Sequence, residues 1–383
     1  MDAKNGHELF AETKQDHYSL WRQQGQQGEP RMVRRIERPV PANVQFSAST
    51  MREQHHSTAG NFCLDDAEQK KLFRQKLLAW YELNRRDLPW RADRDLYRVW
   101  ISEIMLQQTR VAAVIEHYRK FLARFPTVKK LARAKESSVL AAWSGLGYYR
   151  RARMLHSASK EVVKLYGAKL PGNREELGRL PGIGRYTSAA IASIAYGEPV
   201  AAVDGNVHRV VERLLGRICG TEEVWKKAEQ LLCHDNPGDF NQAMMELGAT
   251  VCLPGQPKCL ICPVTRECNS RGSFSKIGNR NRQRKRTVCY ILNVRDGSVF
   301  LVKRPAEATL MPGMWELPET TNSTDVPAFT LRHSITVTDY AVRVVTKSIK
   351  ATKSSGEWVK NNRARTLPLT GLARKILREG KVI

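Results

Sequence analysis

The stretch "LPGIGRYTSAAI" (Leu180–Ile191) decides how the chain is read. Pro181, Gly182 and Gly184 make a tight turn, and small helix-forming residues follow at once, so a helix is expected over Tyr186–Ala195. Glycine lets the backbone come close to a ligand and point its N–H groups at it. Such a turn at a helix N-terminus favours an anion, because unpaired donors and the helix dipole act together. An ordinary helix–helix turn is the plain alternative. The rest of the chain tips the balance: 63 Lys and Arg against 38 Asp and Glu give a formal net charge of +25 over 383 residues. That excess points to a polyanion, so a DNA phosphate is the natural anion. An anionic membrane surface would also satisfy the charge, but no apolar run reaches the roughly 20 residues of a membrane span.

Outward from this turn, the sequence divides by character. Residues 1–64 are polar, without a sustained period, and read as a disordered or over-called N-terminal extension, with Met32 and Met51 as alternative starts. The first residues carry acids and no apolar core, so neither a signal nor a transit peptide fits. From about Asp65 to Asn269 apolar residues recur at helical spacing between Gly/Pro breaks. "VWISEIMLQQTRVAAVIEHYRKFLARF" reads as one long helix. "SRGSFSKIGNRNRQRKR" reads as an exposed basic linker. Beyond it, "TVCYILNV", "SVFLVKR" and "YAVRVVTKSI" read as strands, and "PLTGLARKILREG" as a closing helix. The chain is therefore mainly α first and α+β second.

Three further segments carry chemistry. "CLPGQPKCLICPVTREC" holds Cys252, Cys259, Cys262 and Cys268 at C-x6-C-x2-C-x5-C spacing. Four thiolates so close suit either a zinc site or an iron–sulfur cluster, and ligand count alone leans to zinc. In "VWISEIMLQQT", Glu103 sits among Trp100, Ile101, Ile104, Met105 and Leu106. Apolar surroundings raise a carboxyl pKa toward the range of a general acid, whereas a solvated helix face would leave it ordinary. In "AAVDGNVHRVVERLL", Asp204 reads as a helix N-cap, and donation from helix N–H groups would keep it a carboxylate. One protonated and one ionised carboxyl are what glycosidic-bond cleavage requires. In DNA the leaving group is a base that must first be flipped out, and flipping needs side chains to fill the gap. Gln108 in "LQQT" and Tyr148 in "GLGYYRR" are candidates, with Arg150 and Arg151 beside them for phosphates.

Together, "LPGIGRYTSAAI", "VDGNVHRV", "DLPWR", "WISEIMLQQTRV", "GLGYYRRAR", "FNQAMMELGA" and the four-cysteine loop resemble the MutY-type adenine DNA glycosylases of the endonuclease III superfamily. The resemblance implies a two-lobed helix-hairpin-helix core over 65–269, with an iron–sulfur loop at 252–268 that binds a 4Fe–4S cluster rather than zinc. A basic linker over 270–286 would lead to a Nudix-like α+β lesion-recognition domain over 287–383. Glu103 then matches the acid that protonates adenine N7, and Asp204 the carboxylate that stabilises the sugar cation. Arg86, Leu88, Trp90, Arg91, Asn206 and Gln242 match residues around the adenine, and Gln108 and Tyr148 match an intercalating pair. Gly182 and Gly184 match the DNA-phosphate hairpin. Tyr186 stands where lyase-competent relatives carry a Schiff-base lysine, which implies a monofunctional enzyme that uses water. In the C-terminal part, "MPGMWELPE" and "LRHSITVTDY" match more loosely. Thr336 keeps a hydroxyl where the lesion-reading strand has serine, while Ile335 and Val337 replace its aromatic and histidine. The acidic segment of true Nudix pyrophosphatases is missing. The implied partner is double-stranded DNA bearing A·8-oxoguanine or A·G mispairs, met by a monomer; a bacterial source would place it in the cytoplasm with the nucleoid.

Overall fold

The helical period becomes helix immediately after a capping aspartate: Asp66 accepts from the backbone N–H of Glu68 and Gln69 at 2.9 and 3.1 Å. The computed structural model describes residues 66–271, 284–321, 325–335, 338–347 and 356–383. The N-terminal extension, most of the basic linker, Thr336 and Val337 lie outside the described residues.

The helices are α1 (Ala67–Asn84), α2 (Leu96–Leu106), α3 (Val111–Arg124), α4 (Val128–Ala132), α5 (Glu136–Trp143) and α6 (Arg150–Leu165). They continue with α7 (Arg174–Gly178), α8 (Arg185–Tyr196), α9 (Gly205–Leu215), α10 (Thr221–Leu231) and α11 (Pro237–Thr250). Packing sorts them into two groups. The first helix returns to the last ones, with α1 on α11, α11 on α9 and α9 on α10, while α2 to α8 pack among themselves. Contacts of α8 with both α2 and α11 join the groups, so the cleft between them is framed by rigid elements.

One expectation is corrected here. The long helix read across Val99–Phe125 is two helices, α2 and α3, separated by a turn at 107–110 in which Gln108 takes φ +54°. No Gly or Pro marks that break. Arg151 of α6 donates to the carbonyls of Ile104 and Met105 before the break, and to the Gln107 carbonyl and Thr109 Oγ1 within it.

The strands are β1 (Arg284–Ile291), β2 (Val294–Arg295), β3 (Ser298–Lys303), β4 (Trp315–Glu316), β5 (Glu319–Thr320), β6 (Phe329–Ile335), β7 (Thr338–Val345) and β8 (Glu357–Lys360), followed by α12 (Asn361–Ala364) and α13 (Gly371–Glu379). β1 starts at Arg284, so the strand region opens inside the segment read as linker, whose basic residues form the strand's exposed end. One sheet runs β5-β1-β7-β6, with β1 and β7 parallel in register from Arg284↔Thr338 to Ile291↔Val345. The other runs β2-β3-β4, with β8 on β3. Val288, Val342, Val344, Leu372, Ile376 and Leu377 fill the core between strands and α13.

The helical and strand regions belong to one contact unit. Tyr149 and Ser144 hydroxyls both donate to the Leu369 carbonyl, at 3.1 and 3.0 Å, and Arg374 Nε donates to Ser144 Oγ at 2.8 Å. Met314, in the strand region, is fully buried in the helical core.

Candidate active site

Between the two helical groups lies a cleft of about 850 Å³. Its wall takes Glu103 from α2, Tyr186 from α8, Asp204 and Asn206 from the start of α9, and Gln242 from α11. Arg86, Leu88, Trp90 and Arg91, from the segment between α1 and α2, line it too, with Gln108 and Gly184 at its margin. The sequence-predicted catalytic and base-contacting residues are thus brought to one place from positions well over a hundred residues apart.

Glu103 is 6% exposed, and its neighbours Trp100, Ile101, Ile104 and Met105 are buried with it. Burial pushes its carboxyl up to about 7. The Tyr186 hydroxyl, donating to Glu103 Oε2 at 2.7 Å, and the charge of Arg91 pull it back down, while Asp204 adds to the rise. Tyr186 itself is held well above its ordinary value, first by burial and then by the two carboxyls, so it stays a donor.

Asp204 caps α9 in the way the sequence predicted. Its Oδ1 accepts from Asn206 N at 2.9 Å and Val207 N at 2.8 Å, and its Oδ2 accepts from Asn206 Nδ2 at 2.8 Å. Asn206 is held in turn by Arg209, whose Nη2 donates to Asn206 Oδ1 at 2.9 Å and whose Nε donates to the Cys252 carbonyl at 2.9 Å. The side-chain donor to Asp204 is therefore itself fixed by a second partner, and the other two donors belong to the helix backbone.

Glu246 was not singled out in the sequence. It is 1% exposed on α11 and accepts from Arg86 Nε at 2.6 Å, Arg86 Nη2 at 2.8 Å and Arg91 Nη2 at 2.9 Å. Burial opposes its charge, but the two guanidinium groups outweigh burial and hold the carboxyl below its usual range. The one local signal was its place a helical turn after Gln242, which puts both on one face of α11.

Gly182, at φ +79°, has only 2.7 Å between a built Cβ and Met154 Cβ, so the turn needs glycine twice over. Gly184 is the N-cap of α8 and leaves the helix start open. Tyr148 is placed outside the cleft wall, on the turn before α6, 44% exposed and at φ +47°. Arg151 was expected at phosphates, but its guanidinium is turned inward onto backbone carbonyls of α2 and of the Tyr148 turn. Arg150 beside it is exposed.

Cys252, Cys259, Cys262 and Cys268 line one small cavity with Arg213 and Ser270. Among the described residues no set of three or more His, Cys, Asp or Glu side chains is gathered as a ready metal site. The donor set nevertheless fits a four-thiolate group. Arg213 Nη1 donates to Cys252 Sγ at 3.2 Å, and burial, with the three neighbouring cysteines adding to it, pushes the Cys262 thiol up to about 12, as a crowded cluster of thiols should be.

The family model for HhH-GPD superfamily base excision DNA repair proteins matches residues 101–233. The adenine DNA glycosylase of Buchnera aphidicola (subsp. Acyrthosiphon pisum) is 35% identical over 265 residues, covering 66% of this chain and 75% of that protein. The chain belongs to the adenine DNA glycosylase family. The human and mouse adenine DNA glycosylases are 46% and 41% identical over 223 and 264 residues, covering 54% and 63% of the chain. Only 40% and 51% of those proteins is matched, so the chain spans about half the length of the mammalian relatives of this family. A solved thermostable thymine-DNA glycosylase is 31% identical with a TM-score of 0.50, covering 55% of this chain and 100% of that one.

Proposed function

We propose that the chain hydrolyses the N-glycosidic bond of adenine mispaired with 8-oxoguanine or guanine in duplex DNA, leaving an abasic site. The observation that carries this reading is Glu103, a buried carboxyl raised to about 7 that shares a cleft with the N-cap carboxylate of Asp204. Glu103 gives its proton to N7 of a flipped adenine, and the bonding pair of the C1′–N9 bond leaves with the base. Asp204 stabilises the sugar cation that remains, and water adds to C1′ while its proton passes to the Glu103 carboxylate, restoring the acid. Arg86, Leu88, Trp90, Arg91 and Gln242 hold the base, with Asn206 orienting Asp204. Gln108 and Tyr148 fill the gap left in the stack, and Gly182 and Gly184 seat a phosphate. Tyr186 has no amine, so no Schiff base forms from this position and the backbone stays intact.

The four cysteines would hold a 4Fe–4S cluster, which would tie the loop after α11 to α9 through Arg213 and supply no step of the hydrolysis. The strand region would read the base opposite the adenine, through the segment "LRHSITVTDY" with its Thr336 hydroxyl, and the enzyme would work as a monomer.

The test is excision on duplexes carrying A·8-oxoguanine, A·G, A·T, T·G and an oxidised pyrimidine, each with and without alkali. Adenine release from the first two, with strand breaks only after alkali, is expected. Preferred release of thymine, or breaks without alkali, would overturn the reading. Glu103→Gln and Asp204→Asn should each lose at least about 10²-fold in single-turnover excision while still binding the mispair. A brown chromophore with iron and sulfide is expected in the purified protein, and a colourless protein holding zinc would overturn the cluster.

A further inference from the structure

We infer that Arg151 is the residue that positions both members of the intercalating pair, Gln108 and Tyr148. The inference rests on the proposed roles of those two side chains and adds how they are held. Both sit at exposed turn tips in the left-handed region, at φ +54° and +47°, a conformation that non-glycine residues keep only when their surroundings impose it.

One guanidinium imposes it on both. Arg151 Nη1 reaches the carbonyls of Ile104 and Met105 at 2.8 and 2.9 Å and that of Gln107 at 2.5 Å. These are orphan acceptors at the C-terminal end of α2 and the residue after it, so the cation ends the helix just before Gln108. Nη2 reaches Thr109 Oγ1 at 2.9 Å, on the far side of Gln108, and then the carbonyls of Leu146 and Gly147 at 3.4 and 3.3 Å, which lead into Tyr148. The guanidinium carbon also lies 5.5 Å from the centre of the Tyr148 ring and 5.4 Å from that of Trp143. Trp143 Nε1 donates to the same Gly147 carbonyl at 3.1 Å.

The group is spent on these contacts. Burial lowers its pKa to about 10, and among the described residues Nε has no partner. It cannot also serve a phosphate. A lysine would keep the charge but not the planar fork that spans two turns at once. Arg151 acts through other residues and touches no substrate, so it is a positioning residue.

The experiment is a double-mutant cycle on the full chain. Mispair preference is measured as the ratio of affinities for A·G and fully paired duplexes. Insertion is followed by the fluorescence of a base analogue placed beside the mispair. Arg151→Lys is made alone and in the Gln108→Ala/Tyr148→Ala background. The preference should fall about tenfold in the first case and hardly change in the second, because the arginine acts only through the pair. Thr109→Val, which removes one acceptor and keeps the shape, should show the same pattern with a smaller, two- to fivefold fall (about the low end of such couplings). It keeps the test open should Arg151→Lys fail to fold. An equal fall in both backgrounds would reduce Arg151 to a general stabiliser and overturn the inference. Unchanged preference in Gln108→Ala/Tyr148→Ala alone would sink the intercalating pair itself, and the inference with it.

Discussion

Glu103 and Tyr186 show what a single hydrogen bond does to a buried carboxyl. In the proposed role Glu103 acts when protonated, so excision should decline as pH rises through about 7, where the buried carboxyl loses its proton. Tyr186 donates to that carboxyl and so favours its charged form. Removing the donor in Tyr186→Phe leaves burial and Asp204 less opposed, and the alkaline limb of the single-turnover pH–rate profile should move upward. A limb that moves downward, or one that stays in Glu103→Gln, would refute this assignment. Glu103 was legible only as a candidate buried acid: its apolar neighbours suggested burial, but the segment alone also fitted a solvated helix face. The tyrosine's hold on it was not, since a contact between residues 83 apart leaves no local pattern. Tyr186 was legible only for the lysine it is not.

At the scale of elements, α11 organises the cleft. A built Cβ on Gly238 would stand 2.7 Å from the Ser193 carbonyl oxygen of α8, and one on Gly248 would stand 2.6 Å from Asn206 Cβ of α9. Two glycines thus let one helix lie against the two that carry Tyr186 and Asn206. Between them Glu246 ties Arg86 and Arg91 to the same helix. Glu246→Gln leaves Arg91, 12% exposed, without its counter-charge. With Arg86 discounted for its exposure, a loss of about 3 kcal/mol is expected, read from urea midpoints at constant slope. A change under about 0.5 kcal/mol would show that the pair adds nothing. Most helices were legible from their period and their Gly/Pro breaks. The break between α2 and α3 was not, because no Gly or Pro marks it and its distant partner, Arg151, comes from another helix.

Over the whole molecule, the net charge of +25 makes a further expectation. A site that neutralises about six phosphates should lose about 10³-fold in affinity between roughly 50 and 200 mM salt, for paired and mispaired duplexes alike. A flat salt response in a binding titration would deny that the charge serves DNA. The two-part division of the chain was plain from composition, yet composition said nothing of how the parts meet. They meet at the carbonyl of Leu369, which takes hydrogen bonds from Ser144 and Tyr149, and at Met314, sunk in the helical core. Ser144 and Tyr149 bracket the turn that presents Tyr148. A fragment ending near residue 271 would keep every side chain that lines the cleft. It would also turn two buried hydroxyls toward solvent beside that turn and open the bed of Met314. The chain is modular to read, yet the seam between its parts runs directly under the turn that presents Tyr148.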